Sequence, residues 1–192
     1  MSLSVIIPSK TASNLVPCIE AVRRNEPDAR IIIVDDGIDL RGIDAKSQDR
    51  CWLCENDPTF LVAGVKPFVF ARNVNRGIRA AGADDVVLLN DDAILRTKRG
   101  FSLLRDCSVE HPEYGIISAT TNSAGNPQQF PKGVGLRDEP SVVAFVCVFI
   151  PRRTMDAVGL LDERFVTYGW DDVDMCRRVL SAGMKIGIHD GC

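Results

Sequence analysis

The sequence lacks a long apolar run, a basic excess and a glycine-rich nucleotide fingerprint, and it has only two histidines. Each lack removes a class of function. The longest apolar stretch, Val142 to Ile150, falls well short of the about 20 residues a membrane-spanning helix needs. The amino terminus enters a strand-like run with no basic stretch and apolar core before it, so no secretory leader is read and a cytoplasmic location is expected. Lys and Arg number 23 against 26 Asp and Glu, a formal charge of −3, which argues against a nucleic-acid partner. After the first strand stands Ser9-Lys10-Thr11-Ala12, where a dinucleotide site needs G-x-G-x-x-G, and no phosphate loop of the GxxxxGK[ST] type occurs. Gly133-Val134-Gly135 is a lone GxG and reads as loop flexibility. Neither histidine has a nucleophile near it, so a Ser-His-Asp hydrolase is unsupported. The 7 cysteines are scattered, and Cys51 and Cys54, the one pair at metal spacing, have no second pair to complete a zinc site. Reduced thiols in a cytosolic protein are the simpler expectation.

What is present is an ordinary globular composition, 45% hydrophobic and 26% charged over 192 residues, enough for a single domain. Apolar β-branched runs alternate with helix-period segments. Leu3 to Ile7 reads as a buried strand ended by Pro8, and Leu15, Ile19 and Val22 as a helix capped at Ser13. Ile31 to Val34, Phe60 to Ala63, Val86 to Leu89, Ile116-Ile117 and Lys185 to Ile188 read as further strands. Val142 to Ile150 reads as a strand or long edge ribbon. Phe101, Leu104 and Val109 suggest a helix, and another runs from Asp171 to about Ala182. Thr121 to Pro140 reads as a long loop and a candidate lid. Over Ala71 to Ala81, Val74, Ile78 and Ala81 fall on one side of a helix and Arg72, Arg76 and Arg79 on the other. This alternation predicts an α/β fold with a Rossmann-like, mostly parallel central sheet flanked by helices, its ligands at the carboxyl ends of the strands.

Acid gathers at those ends. Asp35-Asp36 and Asn90-Asp91-Asp92 each close a buried strand, and Asp171-Asp172 opens a helix. Hard cations such as Mg²⁺ and Mn²⁺ take one or two carboxylates together with phosphate oxygens, and strand-end carboxylates are free to point into a cleft. Turn residues, a solvated arginine face, a capping box from Asp171 to Asp174 and an i,i+4 pair from Asp174 to Arg178 are the plain alternatives. Trp170 reads either as core or as a stacking platform.

In order along the chain, these residues resemble family 2 glycosyltransferases of the GT-A fold, the nucleotide-diphosphosugar transferase fold. Ser4 to Ser9 is similar to the family's first strand. Ile32-Ile33-Val34-Asp35-Asp36-Gly37 is similar to its VVDDGS strand end, and Ala71 to Ile78 to its ARNxG and NxGI segment. Leu88-Leu89-Asn90-Asp91-Asp92 stands where the family has DxD. Val158 to Phe165 and Tyr168 to Asp174, with Arg177, resemble its G-x-x-D-E-x-F and E-D-x-D signatures. Asn90 departs from the first DxD position, which leaves Asp92 as the direct metal ligand. The family's later histidine has only His189 as a counterpart, earlier than expected, and the chain stops at Cys192, where a further segment is expected.

The resemblance implies residues 1–92 as a nucleotide-sugar-binding half and 93–192 as an acceptor-side half truncated at its carboxyl end. The activity implied is inverting, metal-assisted transfer of a sugar from a nucleotide-diphosphate donor to a saccharide or other hydroxyl acceptor, as in polysaccharide biosynthesis. Pro8, Ser9, Asp35, Asp36 and Asp91 would face the nucleotide, Arg72 and Asn75 the diphosphate, and Trp170 the substrate. Asp92 would hold Mn²⁺ or Mg²⁺, and either Asp171 or Asp172 would be the base. A sugar nucleotidyltransferase would need a basic, glycine-rich loop where Pro8-Ser9-Lys10-Thr11 stands. A nucleotide- or sugar-binding module, inactive through truncation, is the non-enzymatic alternative.

Overall fold

The computed structural model describes residues 2–38, 59–122, 126–166 and 169–192. The Cys51–Cys54 pair lies outside them. The strands β1 (Leu3–Ser9), β2 (Arg30–Asp35), β3 (Thr59–Ala63), β4 (Asp85–Leu89), β5 (Tyr114–Ala119), β6 (Leu136–Asp138), β7 (Cys147–Ile150) and β8 (Lys185–His189) form one sheet. Their order across it is β3-β2-β1-β4-β7-β5-β8-β6. The first four are mutually parallel, β7 runs antiparallel to both β4 and β5, and β6 runs antiparallel to β8 at the edge.

Helices cover both faces. α1 (Ala12–Asn25) and α3 (Gly100–Glu110) pack with Val5, Ile7, Ile31 and Ile33. α2 (Phe70–Ala81), α4 (Arg152–Val158) and α5 (Asp171–Ser181) pack with Ile6, Ile32 and Val34 on the other face. Successive strand residues point to opposite faces, so a sheet buried on both sides needs continuous apolar runs rather than alternation. That is why the inner strands were readable. On α2, Val74, Ile78 and Ala81 are buried while Arg76 and Arg79 are exposed, as the helical period required. Gly77 lets α2 lie directly on the sheet, since an ideal Cβ there would overlap the Ile6 side chain.

Several expectations need correction. Pro8 does not end β1: it pairs with Val34 of β2, and the strand runs on to Ser9. Pairing with β4 stops at Ile6, so the proline ring blocks no ladder bond on that side. Thr11 holds the cap position of α1, and Ser13 lies inside the helix. Only Cys147–Ile150 of the 142–150 run is strand, and it lies inside the sheet rather than at an edge. The 121–140 stretch carries a 3₁₀ turn at Pro127–Gln129 and β6. It is anchored where the buried Gln129 donates to Ser118 Oγ (2.8 Å) and the Ala144 carbonyl (2.9 Å) and accepts from the Ala144 amide (2.7 Å). Val109 is exposed and contributes nothing to the core face of α3.

Candidate functional site

The topology delivers several chain segments to one end of the sheet. β1, β2 and β4 finish there, so Ser9, Asp36 and Asp91 emerge side by side. β7 is antiparallel to β4, so the residues before it, Ser141 to Val146, begin at that same end. α5 leads back into β8, which is parallel to β5, so the first turn of α5 starts there too. These segments enclose an open cleft of about 840 Å³. Its lining includes Pro8, Ser9, Asp36, Asp91 and Asp92. Asp171 and Asp172 line it too, and Phe68, Phe70 and Phe145 supply apolar surface.

Each acid is held differently. Asp35 accepts from the amides of Gly37 and Ile38, both at 2.7 Å, so its carboxylate closes the turn after β2 and lies outside the cleft lining. Asp36 turns into the cleft, is almost fully buried, and pairs through Oδ1 with Lys66 Nζ at 2.8 Å. Ser9 donates its hydroxyl to Asp91 Oδ2 (2.6 Å) and accepts from the Thr11 amide (3.3 Å), which fixes Asp91 against the end of β1. Asp92 is exposed to the cleft. The field of this pair reaches the layer below: burial first, then Asp91 and Asp92, push the Cys18 thiol up to about 12.

Asp171 is the outlier. It is 4% exposed, and its Oδ1 is buried with no hydrogen-bond partner among the described residues. Burial foremost, and then the charges of Asp172, Asp174 and Asp162, push its carboxyl up to about 6, against the lowering effect of its own amide. It is the first residue of α5 and not its cap. Trp170 holds the cap position in the left-handed region (φ 79°), and no side chain caps the helix. Asp174, instead of completing a capping box, pairs with Arg178 at 2.8 Å. Arg178 also donates to the carbonyls of Val158 (2.6 Å) and Leu160 (3.0 Å), so α5 is clamped to the turn after α4. Asp172 lines the cleft half-buried and accepts from the Val173 amide at 2.8 Å.

A match to the family described as Glycosyl transferase family 2 spans residues 4–117, more than half of the chain. The chain belongs to glycosyl transferase family 2. Its fold is that of GT-A glycosyltransferases. It superposes on GalNAc-T7, crystallised with UDP, GalNAc and Mn²⁺, with TM-score 0.79 and 13% identity, covering 100% of this chain and 43% of that one. On S. aureus TarS 1-349 the TM-score is 0.72 at 12% identity, covering 100% of this chain and 59% of that one. A curated relative, the uncharacterized protein y4gI of Sinorhizobium fredii (strain NBRC 101917 / NGR234), is 23% identical over 94% of this chain. The chain spans only 23% of that relative's length.

Among the positions suggested by the family 2 motifs, Pro8, Ser9, Asp36, Asp91, Asp92, Asp171 and Asp172 meet in the cleft. Asp35, Arg72, Asn75 and Trp170 do not line it. Asn75 is buried and stitches α2 to the family's D-E segment. It donates to the Leu161 carbonyl (2.8 Å) and Glu163 Oε1 (2.9 Å) and accepts from the Leu161 amide (3.1 Å). Arg72 faces a separate groove on the outer side of α2. Trp170 is 60% exposed beside the cleft. His189, the family histidine's one counterpart, ends β8, accepts from the Gly191 amide at 3.1 Å and stands outside the cleft lining. Lys66, Phe68 and the Ser141–Val146 segment were not singled out from sequence. Lys66 and Phe68 sit on a turn with no motif of its own, and the 141–146 segment reads as strand.

Among the described residues, no group of three or more His, Cys, Asp or Glu side chains converges to cage a metal ion. Asp92, open to the cleft beside a serine-anchored Asp91, suits instead a hard cation that completes its shell with phosphate oxygens. No helix among the described residues is long and apolar enough to cross a membrane.

Proposed function

We propose that the protein transfers a sugar, with inversion, from a nucleotide-diphosphate donor to an acceptor hydroxyl, with metal assistance and Asp171 as the base. The observation that carries this reading is the Asp171 carboxylate. It is buried, has an oxygen with no partner among the described residues, is pushed up to about 6, and lines the same cleft as Asp36, Asp91 and Asp92. A general base works best when its pKa approaches the operating pH, and desolvation is how a carboxylate gets there. Two adjacent carboxylates lining the same cleft as Asp91 and Asp92 fit an acceptor placed between base and donor.

In this reading Asp36 holds the nucleoside, and Ser9 and Asp91 orient the donor along the ends of β1 and β4. Neighbouring strands lie about 4.8 Å apart, so β2 to β4 spans ~10 Å, suited to a nucleoside at one end and its diphosphate at the other. Asp92 would hold Mn²⁺ or Mg²⁺, which when bound neutralises the departing diphosphate. The base-side oxygen of Asp171 accepts the acceptor's proton as that hydroxyl attacks the anomeric carbon. Asp172 keeps the charge of its neighbour high in energy. Support for a divalent ion comes from GalNAc-T7, whose crystals contained Mn²⁺ with UDP. The free thiols of Cys18, Cys107, Cys147, Cys176 and Cys192 fit a reducing, cytoplasmic setting.

The test is nucleotide release from UDP-, GDP- and dTDP-sugars with Mn²⁺, comparing Asp171→Asn and Asp172→Asn with the wild type. Asp171→Asn should slow transfer by about 10² to 10⁴ with donor binding retained. Turnover within threefold of wild type in both variants refutes a base in this pair.

A further inference from the structure

A second groove lies along α2 where it meets the edge strand β3, about 590 Å³ in volume, formed by Arg72, Arg76, Arg79, Val62, Val65 and Glu163. Its position and charge are unlike those of the acidic cleft. The arginines stand at i, i+4 and i+7, so all three guanidinium groups rise from one stripe of the helix. Glu163 is the single acid in the lining, and its Oε1 is already shared between Arg79 (3.1 Å) and Asn75 (2.9 Å). Arg72 and Arg76 make no hydrogen bond or ion pair with any described residue. Arg30, Arg137, Arg152, Arg153 and Arg178 donate to carboxylates or main-chain carbonyls, and what sets Arg72 and Arg76 apart from other arginines without a partner among the described residues, such as Arg24 and Arg177, is that they line one groove together.

Folding does not call for this arrangement. Like charges at i,i+4 work against a helix, and α2 is secured by its apolar stripe on the opposite side. The protein as a whole carries a formal charge of −3, so the stripe is a local inversion of its field. All three cations are arginine rather than lysine. The guanidinium fork matches phosphate oxygens two at a time, where an ammonium presents only a point charge. The volume falls in the range that takes a small ligand, and Val62 and Val65 give it an apolar wall.

We propose that this groove is a phosphoanion site, separate from the donor cleft, in which Arg72 and Arg76 clamp a phosphate or diphosphate group. Arg79 joins the clamp when the anion draws it from Glu163. The phosphate group comes either from a soluble ester or from a lipid headgroup, since both present the same oxygens.

The experiment is calorimetric titration of the full chain with inorganic pyrophosphate in the absence of divalent metal, repeated on Arg72→Gln/Arg76→Gln and on Asp92→Asn. A parallel arm measures co-sedimentation with phosphatidylcholine vesicles, with and without phosphatidic acid. Glutamine keeps the length of both exposed side chains, and circular dichroism verifies the fold of each variant. Pyrophosphate should bind wild type and Asp92→Asn alike, and the double glutamine variant should bind at least about tenfold more weakly. Binding only to phosphatidic acid vesicles, lost in the double variant, identifies the lipid source and supports the site. No binding in either arm, or binding unchanged in Arg72→Gln/Arg76→Gln, overturns the proposal. Metal-free pyrophosphate binding that strengthens in Asp92→Asn, where a repelling cleft carboxylate is gone, assigns it to the cleft and overturns the proposal as well.

Discussion

Replacing Asp171 by asparagine should stabilise the protein at neutral and alkaline pH while crippling transfer. The carboxyl is pushed from the ordinary 3.8 to about 6, mainly by burial. A carboxyl with a raised folded pKa binds protons more tightly folded than unfolded. Its charged form therefore costs stability, fully above about pH 6 and not at all below about pH 4. At about 1.4 kcal/mol per pH unit, the interval corresponds to roughly 3 kcal/mol. Water in the open cleft screens part of that, so about 1 to 1.5 kcal/mol is the expected net cost at pH 8. Asparagine has nearly the same shape and no charge, so it removes this cost. For a domain of this size the melting temperature should rise by about 2 to 6 °C. Thermal melts of wild type and Asp171→Asn from pH 8 down to pH 4.5 read the effect directly. The gap should be widest at pH 8 and shrink steadily as pH falls through 6. A variant that is less stable at pH 8, or a gap independent of pH, refutes the account of a desolvated, strained carboxylate.

Two further outcomes concern the scaffold. Glu26, at the end of α1, accepts from the amides of Phe101 (3.1 Å) and Ser102 (3.2 Å) and from the Ser102 hydroxyl, so it caps α3 from outside the helix. Glu26→Ala should lower stability by about 3 kcal/mol in urea denaturation and Glu26→Gln by about 1, because glutamine still accepts without the charge that favours a helix start. Gly77→Ala should cost about 1 to 3 kcal/mol by forcing α2 off Ile6, despite alanine's better helix propensity; an unchanged urea midpoint would show that the contact is slack.

Burial decided what could be read from the amino-acid order. Strands covered on both faces must be apolar throughout, which is why β1, β2 and β4 stood out as apolar runs, the last two ending in acid. Leu136–Asp138 has no such pattern, because an antiparallel edge strand of this length needs only backbone pairing with β8. The short helix Arg152–Val158 passed unnoticed because only Thr154 and Met155 on it are buried. In the cleft, residue type and order located the acids, and depth was invisible. Asp171 and Asp172 are neighbours with the same side chain, and only the packing of α5 tells the buried one from its half-exposed partner. For Arg72, helical period gave the face of α2, while the direction of the cleft depended on β1, β4 and the segment before β7. Asn75 carried an unused signal. It stands four residues after Ala71 and three before Ile78, on the stripe that buries both, so a polar side chain there had to find partners inside.

The central claim is a metal-assisted nucleotide-diphosphate site whose cation rests on Asp92. Calorimetric titration with UDP, GDP and dTDP, each with and without Mn²⁺, for wild type and Asp92→Asn, tests it most directly. At least one nucleotide should bind the wild type in a Mn²⁺-dependent way, adding about 2.7 kcal/mol to stability at 100 times its dissociation constant. In Asp92→Asn the Mn²⁺ dependence should vanish while the melting temperature without ligand stays unchanged. Equal Mn²⁺-dependent affinity in both proteins, or no nucleotide binding by the wild type, would contradict it.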